Sequence, residues 1–326
     1  SFAVFRAVLG VSEAGNWPGA TKANAEWFPI DERALAQGIF NSGAAIGGIV
    51  SAPIIGLLFV WLGSWQATFI AIGALGFLWL VPWLIVYKSG PDAHPWISEE
   101  EREFILTGQR NVETNEVADY APGSAEILSR KESWGVILAS FFLDPIWWLF
   151  VFWLPLYLSE TYGFGVAEIG QFAWIPYVGA MFGAWFGGLL AQNRISAGWT
   201  VNKVRKFVIG LGGVIMLVSL LMTMKASTPM VAVLLMAAIL FGFQTAVGNI
   251  QTLPSDFYSG ESVGSLAGFA GTAAKLAVVL LNFLIPIITV NSYVPAFVVG
   301  AGLAIMTVLS VLILCPNIKP LKPKHS

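Results

Sequence analysis

Charged residues are scarce in this sequence. Asp, Glu, Lys and Arg make up only 11% of its 326 residues, whereas a soluble domain carries about 25%. Hydrophobic residues account for 56%. This balance excludes a soluble globular protein.

Cysteine and histidine are nearly absent as well. The single cysteine, Cys315, cannot form an internal disulfide. The two histidines, His94 and His325, fall outside the apolar runs, so we expect no histidine proton relay. The sequence contains no phosphate-binding loop, no metal-ligand cluster and no catalytic triad. These absences exclude an ATP-driven mechanism and predict a protein without a cofactor or a metal site.

The sequence is rich in apolar runs that are long enough to cross a hydrocarbon core, which takes about 20 residues. We therefore predict an all-α polytopic membrane protein. Its nine predicted spans cover residues 1–26, 33–60, 66–88, 134–160, 167–192, 206–224, 229–252, 262–290 and 293–315. Short connectors such as Gly63-Ser64-Trp65 predict tight hairpins between antiparallel helices.

A charged segment divides these spans into two groups. Residues 1–88 contain three spans, 89–133 form a linker, 134–315 contain six spans, and 316–326 form a tail. The linker includes a helix-capping sequence that begins at Ser98.

The basic residues predict the orientation of the chain. Arg6 and Lys275 lie inside spans; of the other Lys and Arg residues, only Lys225 falls on the opposite side from the linker and tail. Because cytoplasmic loops carry an excess of Lys and Arg, we expect the linker and the C-terminus to be cytoplasmic.

An internal repeat relates the two groups of spans. Glu26-Trp27-Phe28 recurs 230 residues later as Asp256-Phe257-Tyr258, and at the same offset Gly38 corresponds to Gly268. The offset pairs the first span with the seventh, so the repeat is six spans long. Only three spans precede the linker, and we therefore expect about three helices to be missing from the first half of a twelve-helix protein.

This organisation resembles the major facilitator superfamily, whose members consist of two six-helix halves. The stretch FRAVLGVSEAGNWPGATKANAEWFPIDERALAQGIFNSGAAIGG resembles the anion:cation symporter family, whose fourth helix carries Arg and Glu seven residues apart. HPWISEEEREFI and VGSLAGFAGTAAKL look like the same family. FLDPIWWLFVFWLPLYL and YGFGVAEIGQFAWIPY are most similar to hexuronate transporters.

The resemblance implies a proton-coupled symporter that imports hexuronates or similar sugar-acid anions by alternating access. It implies a bacterial inner membrane, a small organic anion and a proton as partners, and we expect a monomer with no nucleic-acid partner. Two departures leave the substrate open. Met181 stands where the family usually has an acidic residue, and Ala44 stands where aldonate carriers can have Gln. The alternative substrate is another organic anion, such as an aldonate, tartrate or an aromatic carboxylate.

Arg6 and Glu13 are the first candidate site residues. They are seven residues apart, on one helical face and about 10 Å apart along the axis. Charges at bilayer depth are costly and tend to face a cavity or a partner. Arg6 is predicted to bind the substrate carboxylate and Glu13 to accept the coupled proton. The alternative is that both only pair with neighbouring helices.

Lys275 lies about fourteen residues into its span, too deep to reach the interface easily. It could supply the cation that a sugar acid requires, and the resemblance implies a polar substrate contact at this position; a structural ion pair is the alternative. Asn249, Gln251 and Asn41 could bind substrate hydroxyl groups through their amides, or could simply join helices.

Asp144-Pro145 is predicted to interrupt its span near the middle. Asp144 could be a second proton site or an internal cap. Trp148 is a candidate for stacking against the sugar, with packing as the alternative.

Two other functional classes are less compatible with the sequence. A membrane-embedded enzyme would require an inward cluster of His, Asp or Glu near one face, which the sequence lacks. A sensor that has lost transport would be favoured by the loss of Arg6 or Glu13, and both are present.

Overall fold

The computed structural model describes residues 2–87, 90–109 and 119–323. The first group of helices comprises α1 (Phe2–Glu13), α2 (Asn16–Trp27), α3 (Arg33–Leu62) and α4 (Trp65–Val86). The linker contributes α5 (Glu99–Gly108) and α6 (Ser124–Leu128). The second group comprises α7 (Lys131–Tyr162), α8 (Val166–Phe172), α9 (Ile175–Ser196), α10 (Val201–Thr223), α11 (Pro229–Gln251), α12 (Leu253–Phe257), α13 (Gly260–Ile288) and α14 (Val294–Leu314).

Within the described residues, seven helical stretches are long and apolar enough to cross a membrane. Helix α3 adds an eighth if its bend of 44° between Ser51 and Ile54 is taken within one span. The prediction of an all-α, multi-pass membrane protein is therefore confirmed. The predicted Gly63-Ser64 hairpin is also present, because Gly63 ends α3 with a φ of 65° and the Ser64 side chain caps α4.

The prediction of one continuous span over residues 1–26 was wrong. Helix α1 ends at Glu13 and α2 begins at Asn16, so two helices of 12 residues replace a single long one. Gly15 and Asn16 have low helix propensity, and both residues are exposed, so that no packing compensates at this point.

The predicted interruption at Asp144-Pro145 was also wrong. Helix α7 runs without a break from Lys131 to Tyr162 although it contains Pro145 and Pro155. A proline removes one backbone hydrogen bond, but Leu143 and Ile146 on either side are fully buried. Their packing offsets the lost bond and keeps the helix continuous.

Glycines allow the main helices to approach at backbone distance. A Cβ atom added to Gly179, Gly183 or Gly187 of α9 would lie 2.2 to 2.5 Å from a carbonyl oxygen of α11. A Cβ added to Gly38 of α3 would lie 2.4 Å from the carbonyl oxygen of Ala184 in α9. Small residues thus set the contact between α9 and α11, and also the contact between the two groups of helices.

The two groups of helices are in contact along α3 and α9, from Leu35 beside Gly188 to Gly48 beside Tyr177. The start of α3 lies on the same side of the molecule as the ends of α9 and α11. We call this side the basic face, after Arg33, Arg194 and Lys203. The linker and the tail pack here. Ile30 donates its backbone N–H to the Gly108 carbonyl at 2.9 Å, and Leu321 donates to the Phe257 carbonyl at 3.0 Å.

Candidate functional site

Three residues that the sequence analysis selected separately meet between α7 and α13. The Lys275 ammonium donates to Asp144 Oδ2 at 2.7 Å, and the Trp148 indole N–H donates to the same oxygen at 3.2 Å. Lys275 Nζ also lies 4.8 Å from the centroid of the Trp148 ring. Asp144 and Trp148 are four residues apart and therefore share one face of α7. We call this set the Lys275 cluster.

The Lys275 cluster is open rather than enclosed. The Lys275 side chain is 56% exposed and that of Asp144 is 25% exposed. An ion pair with this exposure contributes only about 0.2 to 1 kcal/mol to stability. Because a charge that faces lipid at this depth would cost a few kcal/mol, the arrangement fits a water-filled space better than a lipid-facing surface.

Asn41 and Gln251 contact each other across the two groups of helices. Asn41 donates its amide to Gln251 Oε1 at 2.8 Å, and Gln37 donates to the same oxygen at 2.9 Å. Gln37 in turn accepts from Asn24 of α2 at 2.5 Å. We call these four residues the amide network. Sequence analysis missed Gln37, although its position four residues before Asn41 places both on one face of α3.

Gln244 is a second amide residue that the sequence analysis missed. It lies seven residues before Gln251 on α11, which places the two on the same helical face. Its side chain is buried, with 4% exposure, and its Oε1 has no hydrogen-bond partner among the described residues. A buried acceptor without a partner is costly, and a hydroxyl group of a bound ligand would satisfy it.

Asn249 lies on another side of α11 and its amide is already engaged. Asn249 donates to the carbonyl oxygens of Gly187 and Thr245 at 3.3 and 3.4 Å. Its Oδ1 accepts from Arg205 at 3.2 Å. These bonds lie within the second group of helices, so the structure separates Asn249 from the Asn41–Gln251 pair.

Arg205 and Asp256 form a buried ion pair beside Asn249. The two side chains are 0% and 2% exposed, and Arg205 Nε donates to Asp256 Oδ2 at 2.9 Å. Arg205 also reaches the Ile30 carbonyl of the first group at 3.5 Å. Sequence analysis assigned Arg205 only to the basic loops that determine orientation, since a residue near a span end gives no sequence signal of burial.

Arg6 and Glu13 lie on α1, where every side chain from Ala3 to Trp17 is exposed. Their assignment to substrate and proton binding stays a prediction.

A cavity of about 300 Å³ opens on the basic face between the linker and both groups of helices. Its lining includes Lys22, Glu26, Asp92, Gln109 and Tyr258. It contains none of the residues predicted to bind substrate, so it is separate from the candidate site.

Comparison with known proteins provides an independent view of the chain. The chain is 35% identical over 288 residues to the hexuronate transporter of Escherichia coli K12, covering 87% of the chain and 65% of that relative. It is 37% identical over 227 residues to the galacturonate transporter of Dickeya chrysanthemi, covering 66% of the chain and 62% of the relative. The chain therefore spans slightly less than two thirds of the length of these relatives.

More distant similarities extend over more of the chain. A probable galactarate/D-glucarate transporter of E. coli K12 is 29% identical over 330 residues, covering 96% of the chain and 71% of the relative. Among solved structures, a bacterial homolog of the human lysosomal transporter Spinster is 16% identical with a TM-score of 0.46, covering 92% of this chain and 72% of that one. That TM-score is too low to support the fold assignment.

The family model described as Major Facilitator Superfamily matches residues 1–281. This match includes α1 to α12 and most of α13, and hence the Lys275 cluster, the amide network and the buried Arg205–Asp256 pair. The helical, multi-pass fold and this match lead to one conclusion: the chain belongs to the major facilitator superfamily.

Proposed function

We propose that this protein is a secondary transporter that imports hexuronates or closely similar sugar-acid anions, coupled to protons, by alternating access. The observation that carries the proposal is the Lys275 cluster. It presents a partly exposed ammonium group, a carboxylate and an indole ring together at mid-span. A sugar acid offers the matching groups, namely a carboxylate, hydroxyls and an apolar ring face.

The cluster suggests how binding and proton uptake are linked. A substrate carboxylate would compete with Asp144 for the Lys275 ammonium, because both anions need the same cation. Asp144, once displaced, would become a proton acceptor. Glu13 is the other candidate for the coupled proton, and Arg6 the other candidate for the carboxylate.

The amide residues supply hydroxyl recognition in this proposal. Gln251 and Asn41 can donate to and accept from hydroxyl groups, and Gln244 has a buried acceptor that no described residue satisfies. Because Asn249 is engaged by Arg205 and by backbone carbonyls, its predicted role in binding is better supported as indirect positioning.

The relatives support the substrate class. Their names specify hexuronate, galacturonate and galactarate/D-glucarate, all of which are polyhydroxylated carboxylates. Bacterial relatives and the positive-inside rule support an inner-membrane protein with its linker (89–133) and tail (316–326) in the cytoplasm. Residues 1–88 and 134–315 would then move relative to each other as parts of the two halves.

Uptake by purified protein in proteoliposomes tests the proposal. Radiolabelled glucuronate and galacturonate should accumulate inside the vesicles when an inward proton gradient is imposed. Loss of a charged hydrogen bond costs about 1.5 to 3 kcal/mol, so Lys275→Gln should lower the specific uptake rate by at least about tenfold. Lys225→Gln, which removes a charge from an exposed loop, is the matched control and should transport normally.

Three results would contradict parts of the proposal. Uptake that is indifferent to the gradient would exclude proton coupling. Wild-type accumulation by Glu13→Gln and Asp144→Asn together would exclude both proton sites. Preference for an aldonate, tartrate or an aromatic acid over hexuronates would assign the protein to the alternative substrate.

A further inference from the structure

The turn between α9 and α10 contains a group of residues that lies outside the candidate site. Lys203 Nζ lies 4.0 Å from the centroid of the Trp199 ring, and Arg194 Cζ lies 5.2 Å from the same centroid. Two cations thus contact one indole at the ends of two spans. We call these three residues the Trp199 site.

The backbone holds the Trp199 site in a fixed arrangement. Gly198 adopts a left-handed conformation with a φ of 86°, which a residue with a side chain adopts only with strain. The backbone N–H of Trp199 donates to the backbone carbonyl oxygen of Arg194 at 3.0 Å. The Thr200 hydroxyl accepts from the Lys203 N–H at 3.2 Å and caps α10. The site is therefore ordered without a ligand.

Lys203 stands at the end of an apolar stripe on α10. The stripe consists of exposed residues at helical spacing, namely Phe207, Val214, Val218 and Leu221, with exposures of 42%, 58%, 48% and 43%. Ile209 and Met216, on the opposite face, are fully buried. In a bilayer the exposed stripe contacts acyl chains, so Lys203 lies where the headgroups of the same lipids lie.

The aromatic residues connect the cations to this stripe. The Trp199 and Phe207 rings are in contact, with centroids 5.7 Å apart. Tryptophan is enriched at the membrane–water interface because its ring is apolar and its N–H is polar. The Trp199 site is therefore at headgroup depth.

The charge at the Trp199 site is not neutralised within the described part of the protein. Arg194 and Lys203 are both exposed and form no ion pair with a described residue. Asp31 contacts the same turn through Ser196, from which it accepts a hydrogen bond at 3.3 Å, and forms no ion pair with Arg194 or Lys203 among the described residues. Two like charges beside one ring repel each other, and an anion between them would remove that cost.

We propose that the Trp199 site binds the phosphate of an anionic phospholipid in the leaflet at the basic face. Lys203 and Arg194 would bind the phosphate group, Trp199 would lie against the headgroup region, and the acyl chains would cover Phe207 and Val214. With the orientation given above, this is the cytoplasmic leaflet. The site discriminates by charge, favouring phosphatidylglycerol over zwitterionic phosphatidylethanolamine.

Native mass spectrometry of the intact protein in detergent micelles tests this proposal, with phosphatidylglycerol and phosphatidylethanolamine as the titrated probes. Wild type should bind phosphatidylglycerol more tightly. One basic residue near an anionic headgroup accounts for about a fivefold change in affinity, so Lys203→Gln and Arg194→Gln should each weaken binding by about that factor. Trp199→Leu should weaken it by about two- to fivefold.

Two variants serve as controls. Lys203→Arg keeps the charge and the ring contact, and should bind within about twofold of wild type. Lys131→Gln removes an equal charge from an exposed position at the start of α7. Lys131 has no described contact with an aromatic ring, so this variant should leave the affinity for phosphatidylglycerol unchanged.

Four results would overturn the proposal. They are equal affinity for the two lipids, an unchanged affinity in both Lys203→Gln and Arg194→Gln, an equal loss in Lys131→Gln, and displacement of the lipid by inorganic phosphate at equal concentration. The last result would identify free phosphate as the occupant instead of a lipid.

Discussion

Replacing Asp256 should destabilise this protein far more than replacing Glu26, although the internal repeat gives the two residues equivalent positions. Asp256 is 2% exposed and accepts two hydrogen bonds from the fully buried Arg205, at 2.9 and 3.4 Å. Glu26 is 32% exposed and lies 3.7 Å from Lys22, four residues away on the same helix. This difference in burial determines how much free energy of unfolding each substitution should remove.

Asp256→Asn removes the negative charge and leaves a guanidinium group buried without a counterion. Breaking a buried pair in this way costs about 3 to 5 kcal/mol. Exposed pairs with i, i+4 spacing contribute about 0.3 to 0.5 kcal/mol, so Glu26→Gln should cost no more than that. Chemical denaturation of both variants in mixed micelles, followed by circular dichroism, gives the two free energies of unfolding.

A double variant separates the charge effect from the packing effect. Arg205→Met combined with Asp256→Leu removes both charges of the pair, and apolar replacement of a buried pair is often nearly neutral. Buried Arg33 loses the attraction of Asp256 in both variants, but in the double variant it also loses the repulsion of Arg205. The double replacement leaves the Asn249 side-chain oxygen without Arg205 as its donor, which costs about 1 to 3 kcal/mol. The double variant should therefore be more stable than Asp256→Asn. Equal free energies for Asp256→Asn and Glu26→Gln would refute the reasoning.

Other predictions concern packing, reactivity and the amide network. Gly183→Ala should lower the free energy of unfolding by about 1 to 3 kcal/mol in the same denaturation assay, because the alanine Cβ would lie 2.2 Å from a carbonyl oxygen of α11. Gly210→Ala should leave the free energy of unfolding unchanged, because no atom lies within 4 Å of a Cβ at that position. The Cys315 thiol is fully buried, so at pH 8 a maleimide should label the protein only after denaturation; rapid labelling of the folded protein would contradict this burial. Under the proposed function, Gln37→Leu should lower the affinity for hexuronate without affecting the proton dependence of uptake, since it removes the amide that donates to Gln251; an unchanged KM would show that the amide network does not position the proposed site.

Sequence patterns located the membrane helices and several site residues, because long apolar runs and mid-span charges are unusual whatever the tertiary context. Lys275 and Asp144 were selected as candidates in this way, and Trp148 as an aromatic residue that follows Asp144 on the same span. Their meeting could not be predicted, since nothing in the sequence specifies which faces of α7 and α13 are in contact.

Helical geometry alone predicts different roles for Asn249 and Gln251 of α11. Asn249 and Gln251 are two residues apart, which places their side chains about 200° apart around the helix axis. They cannot share one face, so the same binding role for both was not to be expected. The structure directs Gln251 to α3 and Asn249 to Arg205.

The break after Glu13 and the continuity of α7 could not be predicted from the sequence. Both depend on whether surrounding helices compensate for a weak helix former, as Leu143 and Ile146 do around Pro145. Such compensation is a property of the tertiary packing, and local propensity does not report it.

In the proposed alternating-access cycle, the hydrogen bonds between the two groups of helices would set the balance between the two conformations. The described bonds of this kind are Arg33 to Ser255, Gln37 to Gln251, Asn41 to Gln251, Ser196 to Asp31 and Arg205 to Ile30. All lie toward the basic face. At about 1 kcal/mol each, they favour closure of this face by roughly 5 kcal/mol, a population ratio of several thousand to one. In that cycle a cargo would shift the ratio only through its differential affinity for the two states, so the strength of these bonds would set the smallest binding energy that can drive release on this side.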